Sequence, residues 1–220
     1  MSTTKQRNNE TNWSASVFTG RATEYIGVRF LYYVLIIFTL GLGTPWAVCM
    51  YQRWRIKSTI VHGHRLTFDG KGWHLFWHCW LWGFLSIVTL GIYALWLPVK
   101  VEEWFAKHTH LKCNEEVKHI RFPSQFYGSF AERIGINICS FFLFIITLGI
   151  ATPWIACMYL RWRIDNCAID GKQLMFDGTG RQLFGRAFLW FLLTIITVGI
   201  FAFFIPFKME KWVTKHTNFM

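Results

Sequence analysis

The stretch TLGLGTPWAVCMYQRWRI, residues 39–56, returns without a gap as TLGIATPWIACMYLRWRI at residues 147–164, so that Thr39 answers to Thr147 and Ile56 to Ile164. It decides the fold because it sets a helix breaker inside an apolar run. Gly41 suits the left-handed conformation that ends a helix. Thr44 followed by Pro45 offers an N-cap oxygen and then a residue with no amide hydrogen to leave unpaired, which is a new helix start. Gly149, Thr152 and Pro153 repeat the device. The segments after the breaks are therefore expected to be helices of their own. Their ends, Arg53, Trp54, Arg55 and Arg161, Trp162, Arg163, suit the headgroup level of a membrane, where aromatic rings and snorkelling guanidinium groups are both accommodated.

The repeat extends over almost the whole chain. Phe18, Gly20 and Glu24 recur as Phe126, Gly128 and Glu132, and FDGKGWHLF recurs as FDGTGRQLF. Pro98, Lys100, Glu102, Trp104, Lys107 and His108 recur as Pro206, Lys208, Glu210, Trp212, Lys215 and His216, so about 43 of 94 aligned positions are identical. The reading is a flexible polar tail over 1–17, a first two-helix repeat over 18–112, a charged linker over 113–125 ending in a proline, and a second repeat over 126–220. A weaker echo, TLG or TVG, stands in all four apolar runs, at Thr39, Thr89, Thr147 and Thr197.

Composition fixes the class. Of 220 residues 53% are apolar, only 16% are charged and 19% are aromatic, with 22 Phe and 13 Trp, which excludes a disordered chain and an ordinary soluble domain. Four apolar runs, near 30–51, 75–99, 138–160 and 183–207, are each long enough for a membrane helix at a rise of about 1.5 Å per residue. The expected fold class is an all-α membrane protein with four principal transmembrane helices, TLGxxTP breaks, and small β-hairpins outside the bilayer. Asp170-Gly171, and His62-Gly63 in the first copy, are the hairpin turns, and the Phe18 and Phe126 segments add a strand only if they lie on the same side as those hairpins.

Topology stays open at this level. Four crossings put about 13 Lys and Arg with the termini and linker and about 10 with the hairpin loops, so the positive-inside rule barely discriminates. The alternative is an apolar run that enters, turns at TLGxxTP and returns to the face it left, which requires its backbone to be shielded from lipid. Lys plus Arg is 23 against 12 acids, a net of +11. Because these cations crowd the ends of the apolar runs, anionic lipid headgroups are the expected partners and nucleic acid is not. The six Cys form no CxxC pair and read as small hydrophobes.

The tandem TLGxxTPW breaks, the RWRI flanks, the DG or HG hairpin followed by FDGxG, and TLGIYALWLPVKVEEWFAKHTHL resemble the YjgN-like family of bacterial membrane proteins over residues 18–219. The resemblance implies a multi-pass protein of the bacterial inner membrane. It brings no activity, ligand or catalytic residue.

Candidate chemistry is sparse. His62 with His64, and His74 with His78 at i, i+4, have metal-ligand spacing, but the second copy carries Asp170, Lys172, Gln182 and Arg186 there. No metal and no cofactor is expected. No GxSxG elbow, phosphate loop or HExxH is present, and Asp69 and Asp177 read as turn residues rather than acids. Trp104 and Trp212 stand in amphipathic segments and read as interfacial anchors or a partner face. The leading expectation is a non-enzymatic scaffold or sensor that recruits or regulates a partner at the bacterial inner membrane, a cytoplasmic protein being one candidate, and assembles as a homo-oligomer through aromatic faces. The alternatives are a channel or transporter with a path between the repeats, and third, an enzyme acting on lipid.

Overall fold

The computed structural model describes residues 16–112 and 122–220. The expected tail and most of the linker lie outside the described residues. Their inner edges do not behave as linker: Val17 is in a strand, Ser16 and Ser124 are buried, and Gln125 starts a second strand.

In chain order the first unit holds β1 (Val17–Phe18), α1 (Ala22–Phe38), α2 (Thr44–Lys57), β2 (Thr59–Val61), β3 (His64–Phe68), α3 (Gly72–Val88), a 3₁₀ turn (Ile92–Leu95), α4 (Leu97–Lys107) and β4 (Thr109–Leu111). The second holds β5 (Gln125–Phe126), α5 (Phe130–Ile146), α6 (Thr152–Asp165), β6 (Cys167–Ile169), β7 (Lys172–Phe176), α7 (Gly180–Ile196), a 3₁₀ turn (Ile200–Phe204), α8 (Ile205–Lys215) and β8 (Thr217–Phe219). Every helix and strand of the first recurs at the equivalent place in the second.

Each unit closes an antiparallel four-stranded sheet in chain order. The central hairpins turn at His62 (φ 46°) and Gly63 (φ 76°), and at Asp170 (φ 47°) and Gly171 (φ 80°), the two consecutive positive φ angles that match the twist of paired strands. The outer strands come from the helical segments: β1 pairs β2 (Phe18↔Thr59) and β3 pairs β4 (Phe68↔Thr109).

That pairing bears on the topology left open between four crossings and returning runs. The whole first apolar run, α1 and α2, lies between β1 and β2, and the second, α3 to α4, lies between β3 and β4. A run that crossed a bilayer once would leave its two strands on opposite sides, where they could not share hydrogen bonds. Instead each run leaves a sheet, reverses at its TLG or TVG turn and returns to the same sheet as a helical hairpin. The four outgoing helices have 17 residues each, and none of the described helices is long and apolar enough to cross a membrane.

The two units share one core. Val61, Leu66 and Leu111 of the first sheet pack with Ile169 and Leu174 of the second, and Phe207 of α8 packs on Phe18 and Tyr25 of the first unit. Both sheets consequently lie on the same side of any surface the hairpins enter.

Candidate functional site

The four hairpin tips are built alike. Leu40, Leu90, Leu148 and Val198 have φ near +50°, followed by Gly41, Gly91, Gly149 and Gly199 at φ from +85° to +90°. A left-handed backbone costs a residue with a Cβ roughly 1–2 kcal/mol, and Gly or Asn is its ordinary occupant. Here it is taken four times by a large apolar side chain, once by a β-branched one. None of them packs on the protein: they are 94%, 94%, 90% and 91% exposed.

The turn backbone is closed on itself. The Thr39 hydroxyl donates to Leu35 O (2.6 Å) and accepts from Gly43 N–H (2.7 Å), bridging the end of α1 to the start of α2. Thr89, Thr147 and Thr197 make the same two bonds, accepting from Tyr93, Ala151 and Phe201. Gly41 N–H donates to Ile36 O, and the amides of Leu40, Leu42 and Thr44 also find acceptors within the turn. At all four tips, every amide hydrogen of the six residues beginning at the threonine is paired. Such a turn needs no water.

The helices below the tips are bare. The described structure buries only Tyr25 in α1 and no residue of α5, although both are largely apolar. No Asp, Glu, Lys or Arg lies between Arg29 and Arg53, Lys71 and Lys100, Arg133 and Arg161, or Arg186 and Lys208. From the last cation of α1, α5 and α7 to the tip is roughly 16–22 Å at about 1.5 Å per residue, half the thickness of a bilayer or slightly more.

The break residues differ from expectation in detail. Gly41 and Gly149 do end helices in the left-handed region. Thr44 and Thr152 are the first residues of the returning helices rather than their N-caps, with Pro45 and Pro153 next, and their hydroxyls donate back to Gly41 O and Gly149 O. The bridging atom is the earlier threonine, legible as a recurrent letter but not as a role.

Most of the expected headgroup residues lie instead inside the protein. Trp104 and Trp212 are buried against Phe68 and Phe176, because α4 and α8 turn their apolar faces to the sheets. Trp162 is buried, donating from Nε1 to Glu132, and Trp54 donates to Glu24. Arg55 pairs with Glu210 and Arg163 with Glu102 (2.7 Å), one bridge in each direction between the units. The Tyr51 and Tyr159 hydroxyls donate to the same two carboxylates. Glu102 and Glu210 were legible only as repeated letters. Arg53 and Arg161 stay exposed, each donating to a glycine carbonyl, Gly70 O and Gly178 O.

Ser16 and Ser124 complete the junction. Ser124 Oγ donates to Thr109 O (2.7 Å) and accepts from Asp170 N–H, while the Asp170 carboxylate accepts from Leu111 N–H (2.7 Å) and faces His110 Nδ1 at 3.1 Å. The interface holds a half-open cavity of about 140 Å³, lined by both bridges' arginines, by Glu102 and by mostly apolar side chains. Cys167 faces it, and burial pushes its thiol up to about 11. No cluster of three metal-ligating side chains occurs among the described residues. Asp69 approaches His110 at 3.6 Å, and Asp177 accepts from Asn218.

Residues 14–81 match the model of a family described as bacterial protein of unknown function, DUF898. The chain is 26% identical over 174 residues to the inner membrane protein YjgN of Escherichia coli K12, an alignment covering 70% of this chain and 41% of that one. It thus spans about two fifths of the length of that relative. No solved structure matches. Over those residues the chain is similar to the DUF898 family of bacterial proteins of unknown function and to YjgN.

Proposed function

We propose that this chain is a non-enzymatic module of the bacterial inner membrane, held by four helical hairpins that dip into the hydrocarbon from one face, with its joined sheets offered to a partner on that face. One observation carries the reading: at four equivalent tips a strained left-handed position holds an exposed apolar side chain over a turn with no unpaired amide. In water that arrangement exposes hydrocarbon for no gain and costs strain. In lipid it is what the solvent demands, since polar backbone must be satisfied internally and apolar side chains are free to face outward. The inner-membrane name of the relative supports the location. Recruitment of a cytoplasmic partner is the role that fits a one-faced body whose exposed part beyond the hairpins is two small sheets.

The test is labelling of single cysteines, on a Cys-free background, at the exposed turn-flanking positions His64 and Lys172 and in the linker in intact cells. Protection of all three until lysis is the expected result. Labelling of the two turns from outside, with the linker protected, would sink the reading and restore four crossings.

A further inference from the structure

We propose that the foot of the last hairpin, and not its counterpart in the first unit, is a binding site for the phosphate group of an anionic phospholipid. The inference rests on the membrane reading above and adds a ligand and a place. In the first unit α4 carries Lys100, Glu103 and Lys107 on one face, and Glu103 takes both lysines, at 3.1 and 2.7 Å. Donation from Lys107 foremost, and from Lys100, holds the Glu103 carboxyl below its ordinary range. With His74 and His78 of α3 these residues line an open pocket of about 450 Å³. The cations there are largely spent on the acid between them.

In the second unit the equivalent positions read Lys208, Lys211 and Lys215 on α8, and Gln182 and Arg186 on α7. The neutralising acid has become a third lysine, and one histidine has become an arginine. Spacing of i, i+3 and i+7 keeps the three ammonium groups on one exposed stripe. Lys211 Nζ lies 4.7 Å from the centre of the Phe207 ring, which borders the stripe. Glu210, the only acid of α8, is engaged by Arg55 and Tyr51 of the other unit. Among the described residues none of Arg186, Lys208, Lys211 and Lys215 has an acidic partner within 4 Å. Three like charges on one helix face are unfavourable without a counter-ion. Lys208 is also the first charge after the apolar run that ends α7 and passes through the tip, so the stripe begins where hydrocarbon gives way to headgroups. A phosphodiester in the same leaflet supplies the missing charge at that depth, and lysines bind it as point charges.

The test uses the full chain in a neutral detergent, titrated with short-chain phosphatidylglycerol, with phosphatidylcholine of equal chain length, and with inorganic phosphate. The expected result is at least tenfold preference for phosphatidylglycerol over both. Each elementary charge beside an anionic group is worth roughly fivefold, so Lys211→Glu, which restores the pattern of the first unit, should weaken binding about thirtyfold, and Lys211→Gln about fivefold. Glu103→Lys should create a second site. Equal binding of the two lipids, inorganic phosphate binding as tightly as phosphatidylglycerol, or Lys211 variants of unchanged affinity and melting temperature would each overturn the assignment. A variant that fails to fold is replaced by Lys211→Gln, whose charge change alone decides the matter. Failure of the underlying membrane reading looks different: the chain would not associate with vesicles of any composition.

Discussion

Replacing the four tip residues Leu40, Leu90, Leu148 and Val198 by Asp separates membrane insertion from folding. At over 90% exposure or close to it, these side chains contribute almost nothing to packing within the protein, so their loss opens no cavity. Asp is also better suited than Leu or Val to a φ near +50°, so the folded state should be unharmed or slightly favoured. Near the bilayer midplane Leu contributes about −0.3 to −0.6 kcal/mol and Asp costs about 2.5–3.5 kcal/mol, a swing of about 3–4 kcal/mol per tip. Four tips add to roughly 12–16 kcal/mol, enough to abolish insertion. Asn at the same positions fits the turn without the charge and serves as the comparison. The assay is flotation with vesicles, together with quenching of tryptophan fluorescence by brominated acyl chains, with melting in detergent as the control for folding. A quadruple Asp variant that melts like the parent and still floats with the vesicles would refute the assignment of the tips to hydrocarbon.

Other outcomes test the parts separately. Thr39→Val keeps the shape but strands the Gly43 amide, and should cost about 1–3 kcal/mol in a detergent melt, while Thr39→Ser should be close to neutral. Gly72→Ala would set a Cβ 2.6 Å from the Trp46 ring and 3.0 Å from its Cα, so destabilisation of about 1–3 kcal/mol is expected by thermal melting, against little effect at Gly27, which meets nothing. Arg55→Glu and Glu210→Arg should each destabilise the joined units, and the double variant should recover about 1–3 kcal/mol in a double-mutant cycle. Cys79 and Cys139 are exposed on hairpin helices, whereas Cys167 is held protonated by burial. In membranes a water-soluble maleimide should label none of the three, and detergent should release the first two alone.

Much of the fold was legible because it was written twice. The constant offset between the copies, the breaks at Gly41 and Gly149, and the turns at Asp170-Gly171 and His62-Gly63 each rest on local backbone chemistry that one residue type announces. What was not legible is where the chain goes after a break. Periodicity reports that a run is apolar on all sides, and that is equally true of a helix crossing lipid and of a hairpin entering it. The deciding fact, that Phe18 pairs with Thr59 across an entire apolar run, is a long-range contact between two very short strands, too brief to carry a pattern. Trp104, Trp212 and Arg163 were misassigned for a related reason. A Trp or Arg beside an apolar run fits a headgroup belt and fits a packed junction between repeats, and only the partner, Phe176 for Trp212 or Glu102 for Arg163, distinguishes them.

Charge gains its meaning from the same contact. Counted for four crossings, about 13 basic residues oppose about 10 and orientation is undetermined. With returning hairpins the two groups are no longer opposed, because β1 and β2, and β3 and β4, must lie together, and the two sheets share one core. On the proposed membrane reading, the basic excess of the described residues then faces one way. On the membrane reading proposed above, such a body would send no charged loop through the bilayer, and its cations would gain attraction to anionic headgroups. The tips on the far side of that charge carry none at all. On that reading the sequence separates two solvents along each hairpin, lysine and arginine at the foot and leucine or valine at the turn, and the threonine bridge would let the backbone reverse inside the second solvent without exposing a donor to it.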